Sequence, residues 1–140
     1  MNCHILHDKL QPIPIGVANE CWPHGDKQAI LDVANSDNKK TNLIYSNFDK
    51  NTNYSQREDV NNILNKLNGY DIETDKIPYR KYLQKLSSYK FVVSPPGNSI
   101  DCHRVWESIY VGTIPIVLKM YRWFTLKTAL YFYKSMGRLV

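Results

Sequence analysis

Apolar positions in this chain fall in short runs between polar segments, and the spacing within each run selects a strand or a helix. "NLIYSNF" at 42–48 and "KFVVS" at 90–94 are compact runs of β-branched and aromatic residues bounded by loops, as buried strands are. "IPIVL" at 114–118 reads as a further strand, "CHIL" at 3–6 as a short one, and "YDIET" at 70–74 as a weakly extended piece. "KQAILDVAN" at 27–35 follows Asp26, whose carboxylate can accept from the unpaired amides of a helix start. "SQREDVNNILNKL" at 55–67 opens with Ser55 and Glu58 at S-x-x-E spacing, which predicts a capping box. Pro78 heads a helix through "PYRKYLQKLSSY", where its missing N–H costs nothing. Residues 100–111 form the next helix, stopped by Gly112 in a left-handed turn. Beyond 118, Trp123, Leu126, Leu130 and Tyr133 fall near helical spacing.

Strands that alternate with helices imply parallel pairing with right-handed crossovers, so the expected class is α/β, a Rossmann-like parallel sheet flanked by helices. Ligands of such sheets sit beyond the carboxyl ends of the strands, where loops meet helix starts. The length of 140 residues fits one domain over 1–140. The polar tract "NSDNKKTN" at 35–42 reads as a solvated loop inside it, and "QPIPIGVANECWPHGD" at 11–26 as a long one.

Composition narrows the partners only a little. Eighteen basic against thirteen acidic residues give a net charge of +5, which favours anionic ligands. No basic stripe or aromatic sheet motif recommends nucleic acid, so none is expected. Three cysteines, Cys3, Cys21 and Cys102, lack CxxC spacing and fit a reducing compartment. His4, His7, Cys21 and His24 are zinc-ligating types at spacings that match no compact finger, so no metal is expected. No leader-like start and no apolar run of roughly 18 residues is evident, which favours a cytoplasmic setting.

The chemistry concentrates in "FVVSPPGNSIDCHRVWESIYVGTIPIV" at 91–117. At about 100° per residue, Cys102, Val105, Trp106 and Ile109 share one helix face, and His103, Arg104, Glu107 and Ser108 the other. The first set reads as core, with Cys102 a small buried hydrophobe. The second set has two readings. His103 or Arg104 with Glu107 are ordinary helix pairs contributing ~0.2–0.5 kcal/mol. Alternatively, a helix start placed just after a strand and a Gly-Asn-Ser turn attracts phosphate through its amides and dipole. An arginine in that first turn can then bind phosphate oxygens in a bidentate way, and Glu107 can accept from vicinal hydroxyls. Neither G-x-G-x-x-G nor G-x-x-x-x-G-K occurs, which excludes the usual dinucleotide fingerprint and the Walker loop.

This segment resembles the donor-binding segment of exostosin-like GT-B glycosyltransferases, in which a strand, a Ser-Pro-x-Gly turn, an Arg-x-Trp-Glu helix and a Gly-x-Ile-Pro strand follow one another. "IPYRKYLQKLSSYKF", "NFDKNTNYSQRE" and "IPIGVANECWPHG" extend the resemblance over roughly 10–118. It implies the carboxyl-terminal lobe of a two-lobed enzyme that binds a nucleotide sugar, usually a UDP-sugar, for transfer to an acceptor hydroxyl on a glycan, protein or lipid. On this resemblance Gly97, Asn98 and Ser99 line the diphosphate, Arg104 lies near it, Arg57 is a further phosphate ligand, and Glu107 binds the ribose. His103 faces the same cleft and is the one candidate here for acid–base work. The family works by direct displacement, and amides with arginines can stabilise the leaving diphosphate without a metal. The base and much of the acceptor site come from an amino-terminal lobe absent from this chain, so a missing lobe or partner chain is expected. The aromatic, basic segment 119–140 departs from the family, which continues there with an acidic, proline-containing loop. The alternative is a non-catalytic remnant or interaction module with the same fold. Trp22 and His24 are further candidates for sugar or acceptor contact.

Overall fold

The computed structural model describes residues 14–118 together with Lys9. Helix α1 (Lys27–Ala34) is followed by strand β1 (Asn42–Ser46), a 3-10 turn (Lys50–Asn53), α2 (Tyr54–Leu64), β2 (Tyr70–Ile72), α3 (Tyr79–Ser87), β3 (Tyr89–Val93), α4 (His103–Tyr110) and β4 (Ile114–Ile116). The strands form one sheet in the order β2-β1-β3-β4, every pair parallel, with Tyr45 opposite Val92 and Phe91 opposite Ile114. This is a Rossmann-like α/β sheet. The chain leaves β1 for one edge and returns past it to β3, so the strand order switches direction between β1 and β3. A crevice opens at the carboxyl ends of strands at such a point.

Packing explains which elements form. Asp26 Oδ1 accepts from the Ala29 amide at 2.9 Å, as its position predicts, and Ala29, Ile30 and Val33 turn inward from α1. They meet Tyr82, Leu83 and Leu86 of α3, with Tyr45 and Val92 of the sheet, in the main core. Val105, Trp106 and Ile109 form a second cluster beneath α4, joined by Val17, Cys102 and Val117. Gly112, at φ 78°, adopts the left-handed turn that ends α4. Among the described residues no helix is long and apolar enough to cross a membrane.

Several boundaries differ from expectation. The capping box is absent: α2 starts at Tyr54, its N-cap Asn53 makes no side-chain cap hydrogen bond, and Glu58 pairs instead with Lys50 at 3.4 Å. The 3-10 turn runs straight into the helix, so Ser55 is already past its first residue and Glu58 finds the lysine of that turn. Helix α4 begins at His103 rather than 100, because residues 97–101 form their own turn, in which Ser99 Oγ donates to Asp101 O at 2.5 Å. Ser108 and Glu107, which helix spacing puts on the polar face of α4, are both buried, since α1 and α3 pack against α4. Lys40, expected on a solvated loop, donates to the carbonyls of Ser87 at 3.0 Å and Tyr89 at 3.2 Å. The strand reading at 3–6 and the helical reading beyond 118 lie outside the described residues.

Candidate functional site

A cleft of about 1000 Å³ opens where the fold predicts one. Its walls come from the loops after β1 and β2, the starts of α3 and α4, and His24 of the long loop. Four of the candidate residues line it: His24, His103, Arg104 and Glu107.

Glu107 is buried on α4 and held from α3. Its carboxylate accepts from the Tyr79 hydroxyl at 3.2 Å and from the Tyr82 hydroxyl at 3.1 Å. Burial pushes its pKa above the ordinary carboxylate value, against the opposing pull of the Arg104 charge and the two tyrosine hydrogen bonds. The same burial, with Glu107 adding to it, pushes the Tyr79 and Tyr82 hydroxyls upward, so both remain protonated donors.

Arg104, half-buried, sits one helix turn before Glu107. Its Nε is enclosed and has no hydrogen-bond partner. Burial opposes its charge, but Tyr82, Cys102 and Glu107 outweigh this and raise its pKa, so it stays cationic. Burial raises the Cys102 thiol, with Arg104 pulling the other way, and Cys102 packs against the Trp106 cluster as a small hydrophobe. An obligate cation on the wall of the cleft, beside a carboxylate with two ordered donors, is suited to polar, anionic, hydroxyl-bearing ligands.

His103 is clamped rather than loose. Its Nδ1 lies 2.8 Å from the Gly16 carbonyl, which can only accept, so Nδ1 carries the proton and Nε2 is the acceptor of the neutral ring. Asp101 completes the clamp by accepting from the Ile15 amide at 2.7 Å and the Trp106 indole at 2.9 Å. The His103 ring is 5.9 Å from His24, which stacks on Trp22 at 6.1 Å and meets Tyr79 edge-on at 6.5 Å.

Gly97, Asn98, Ser99 and Arg57 are not among the residues that line this cleft. The Gly97 amide donates to the Ser99 carbonyl at 3.0 Å, so it is already engaged within the turn. Arg57 is buried, donating from Nε to the Pro96 carbonyl at 2.8 Å and from Nη1 to the Asp49 carbonyl. Burial and the Arg104 charge lower its pKa. A Cβ on Gly97 would come within 2.9 Å of Arg57 Nη2, so this guanidinium and the turn fit closely together. Arg57 thus braces the turn after β3 from beneath.

Sequence reasoning missed Tyr79 and Tyr82. Their three-residue spacing directly after Pro78 put both on one face at a helix start, which was the available signal. Among the described residues, no three His, Cys, Asp or Glu side chains converge as a metal set would. The chain matches no protein-family model and no curated protein.

Proposed function

We propose that this chain is the donor-binding lobe of a glycosyltransferase, holding a nucleotide sugar, of the UDP-sugar class, for transfer to the hydroxyl of a glycan, protein or lipid acceptor. The observation that carries the reading is the pairing of Arg104 and Glu107 one turn apart at the start of α4, inside the crevice at the switch point of the sheet. Arg104, whose side chain lines the cleft, binds the diphosphate. Glu107 has lone pairs left after its two tyrosine hydrogen bonds and accepts from the ribose hydroxyls. In the displacement itself Arg104 stabilises the charge on the departing diphosphate. A second lobe or partner chain supplies the base, so the chain alone binds donor without turning it over.

Isothermal titration with UDP and with GDP tests the reading. UDP is expected to bind, and Arg104→Ala to remove binding while the protein stays folded. Absence of heat from either nucleotide with folded protein overturns it.

A second reading, a non-catalytic interaction module, is favoured by one observation: β4, at the edge of the sheet among the described residues, exposes Ile114 and Ile116, at 48% and 43%. Such a strip suits contact with another chain. Size-exclusion chromatography separates the readings, since a clean monomer that binds UDP supports the first.

A further inference from the structure

The Trp22–His24 stack is a ridge between two depressions. His24 lines the main cleft, while Trp22 lines a second, shallower pocket of about 440 Å³ together with Glu20, Asp26, Lys27, Gln28 and Leu31. Trp22 is 59% exposed, unusual for the largest apolar side chain. It is nevertheless held firmly. Its amide donates to the Asn19 carbonyl at 3.0 Å, and its carbonyl accepts from the Gly25 amide at 2.9 Å. A Cβ at Gly25 would lie 1.9 Å from Asn19 O, so the turn closes only with glycine there. The indole is therefore presented on a rigid turn, already ordered before any ligand arrives.

The polar groups around it are mostly acceptors. Asp26 uses Oδ1 to cap α1 and retains Oδ2, while Gln28 uses its amide nitrogen on Asp32 at 2.7 Å and retains its carbonyl oxygen. Lys27 is the one cation of the lining and pairs with Glu20 at 3.0 Å, among the described residues, in an exposed contact that contributes little and opens readily. A flat aromatic face ringed by acceptors complements a ring that has polarised C–H bonds on its face and hydroxyls at its edge. Carboxylates among those acceptors disfavour an acidic ring.

We infer that the pocket at Trp22 is a saccharide subsite for a neutral pyranose, which stacks on the indole and donates its hydroxyls to Glu20, Asp26 and Gln28. It adjoins the cleft across the Trp22–His24 ridge, so a sugar bound there is the acceptor end of the transfer. The acceptor role rests on the donor-lobe reading; saccharide binding itself does not.

The test is saturation-transfer NMR and titration of the full chain with neutral β-linked hexose oligosaccharides, and separately with UDP. The expected result is saccharide binding that weakens about tenfold or more in Trp22→Ala, the scale of one lost aromatic contact, with UDP affinity unchanged. Trp22→Tyr retains a flat ring and is expected to keep most saccharide binding, which separates stacking from a damaged turn. Saccharide binding without UDP binding sustains the subsite and removes its acceptor role. No saccharide signal from the wild type, equal binding by Trp22→Ala, or self-association through Trp22 in place of sugar binding overturns the inference.

Discussion

The hydroxyl of Tyr82 donates to the carboxylate of Glu107 at 3.1 Å, with both side chains buried between α3 and α4. Tyr82→Phe removes that donor and leaves a buried carboxylate short of one partner. The expected loss is ~1–3 kcal/mol, read as a lower denaturant midpoint at unchanged slope. If instead the midpoint does not move, Glu107 is wetter than its surroundings indicate.

Glu107 also sets a pH dependence. Its pKa is raised above 4.5 in the folded chain, so the folded state holds the proton where the unfolded state has lost it. Its contribution is fully present below the unfolded value and declines as pH rises through the folded value. Glu107→Gln is expected to flatten that decline, with wild type losing stability relative to the variant over this window. Denaturant titrations of both proteins across acidic to neutral pH provide the check, and parallel curves would contradict it.

Lys40 binds the far end of the sheet. Its Nζ reaches the carbonyls of Ser87 and Tyr89 and lies 3.1 Å from Thr113 Oγ1, which itself donates to Leu86 O at 2.8 Å. Lys40→Met keeps the stem and deletes the donors, and is expected to cost ~1–3 kcal/mol in thermal or chemical unfolding. Lys39, exposed next to it, is the control, and Lys39→Met is expected to change little.

Arg57 and Arg104 are separable by experiment. Arg57→Lys loses the fork that spans the Pro96 and Asp49 carbonyls, so stability should fall by ~1–3 kcal/mol while the folded fraction still binds UDP. Arg104→Lys, by contrast, should weaken UDP with a smaller effect on stability. An Arg57→Lys protein that is as stable as wild type yet fails to bind UDP would return Arg57 to the ligand.

The periodicity of 42–118 carried the element order and the parallel α/β class, because a buried strand and a capped helix differ in pattern over only a few residues. Asp26 capped its helix as read, and Gly112 turned left-handed as read. Ser55 and Glu58 failed because a cap depends on where the preceding chain enters the helix, which a local pattern does not specify. The 3-10 turn took that entry and Lys50 took the carboxylate.

Local pattern alone was enough for the strands, the helix carrying Arg104 and Glu107, and the turn that precedes it. Which polar side chains reach the cleft was left to the packing of the helices. Helix spacing put His103, Arg104, Glu107 and Ser108 on one side, yet the packing of α1 and α3 enclosed Ser108, gave Glu107 to two tyrosines and left an Arg104 nitrogen unpartnered. Arg57 was diverted the same way, to carbonyls distant in sequence. The physical reason is that a buried polar group must find its partner in space, and neighbours along the chain supply only some of those partners.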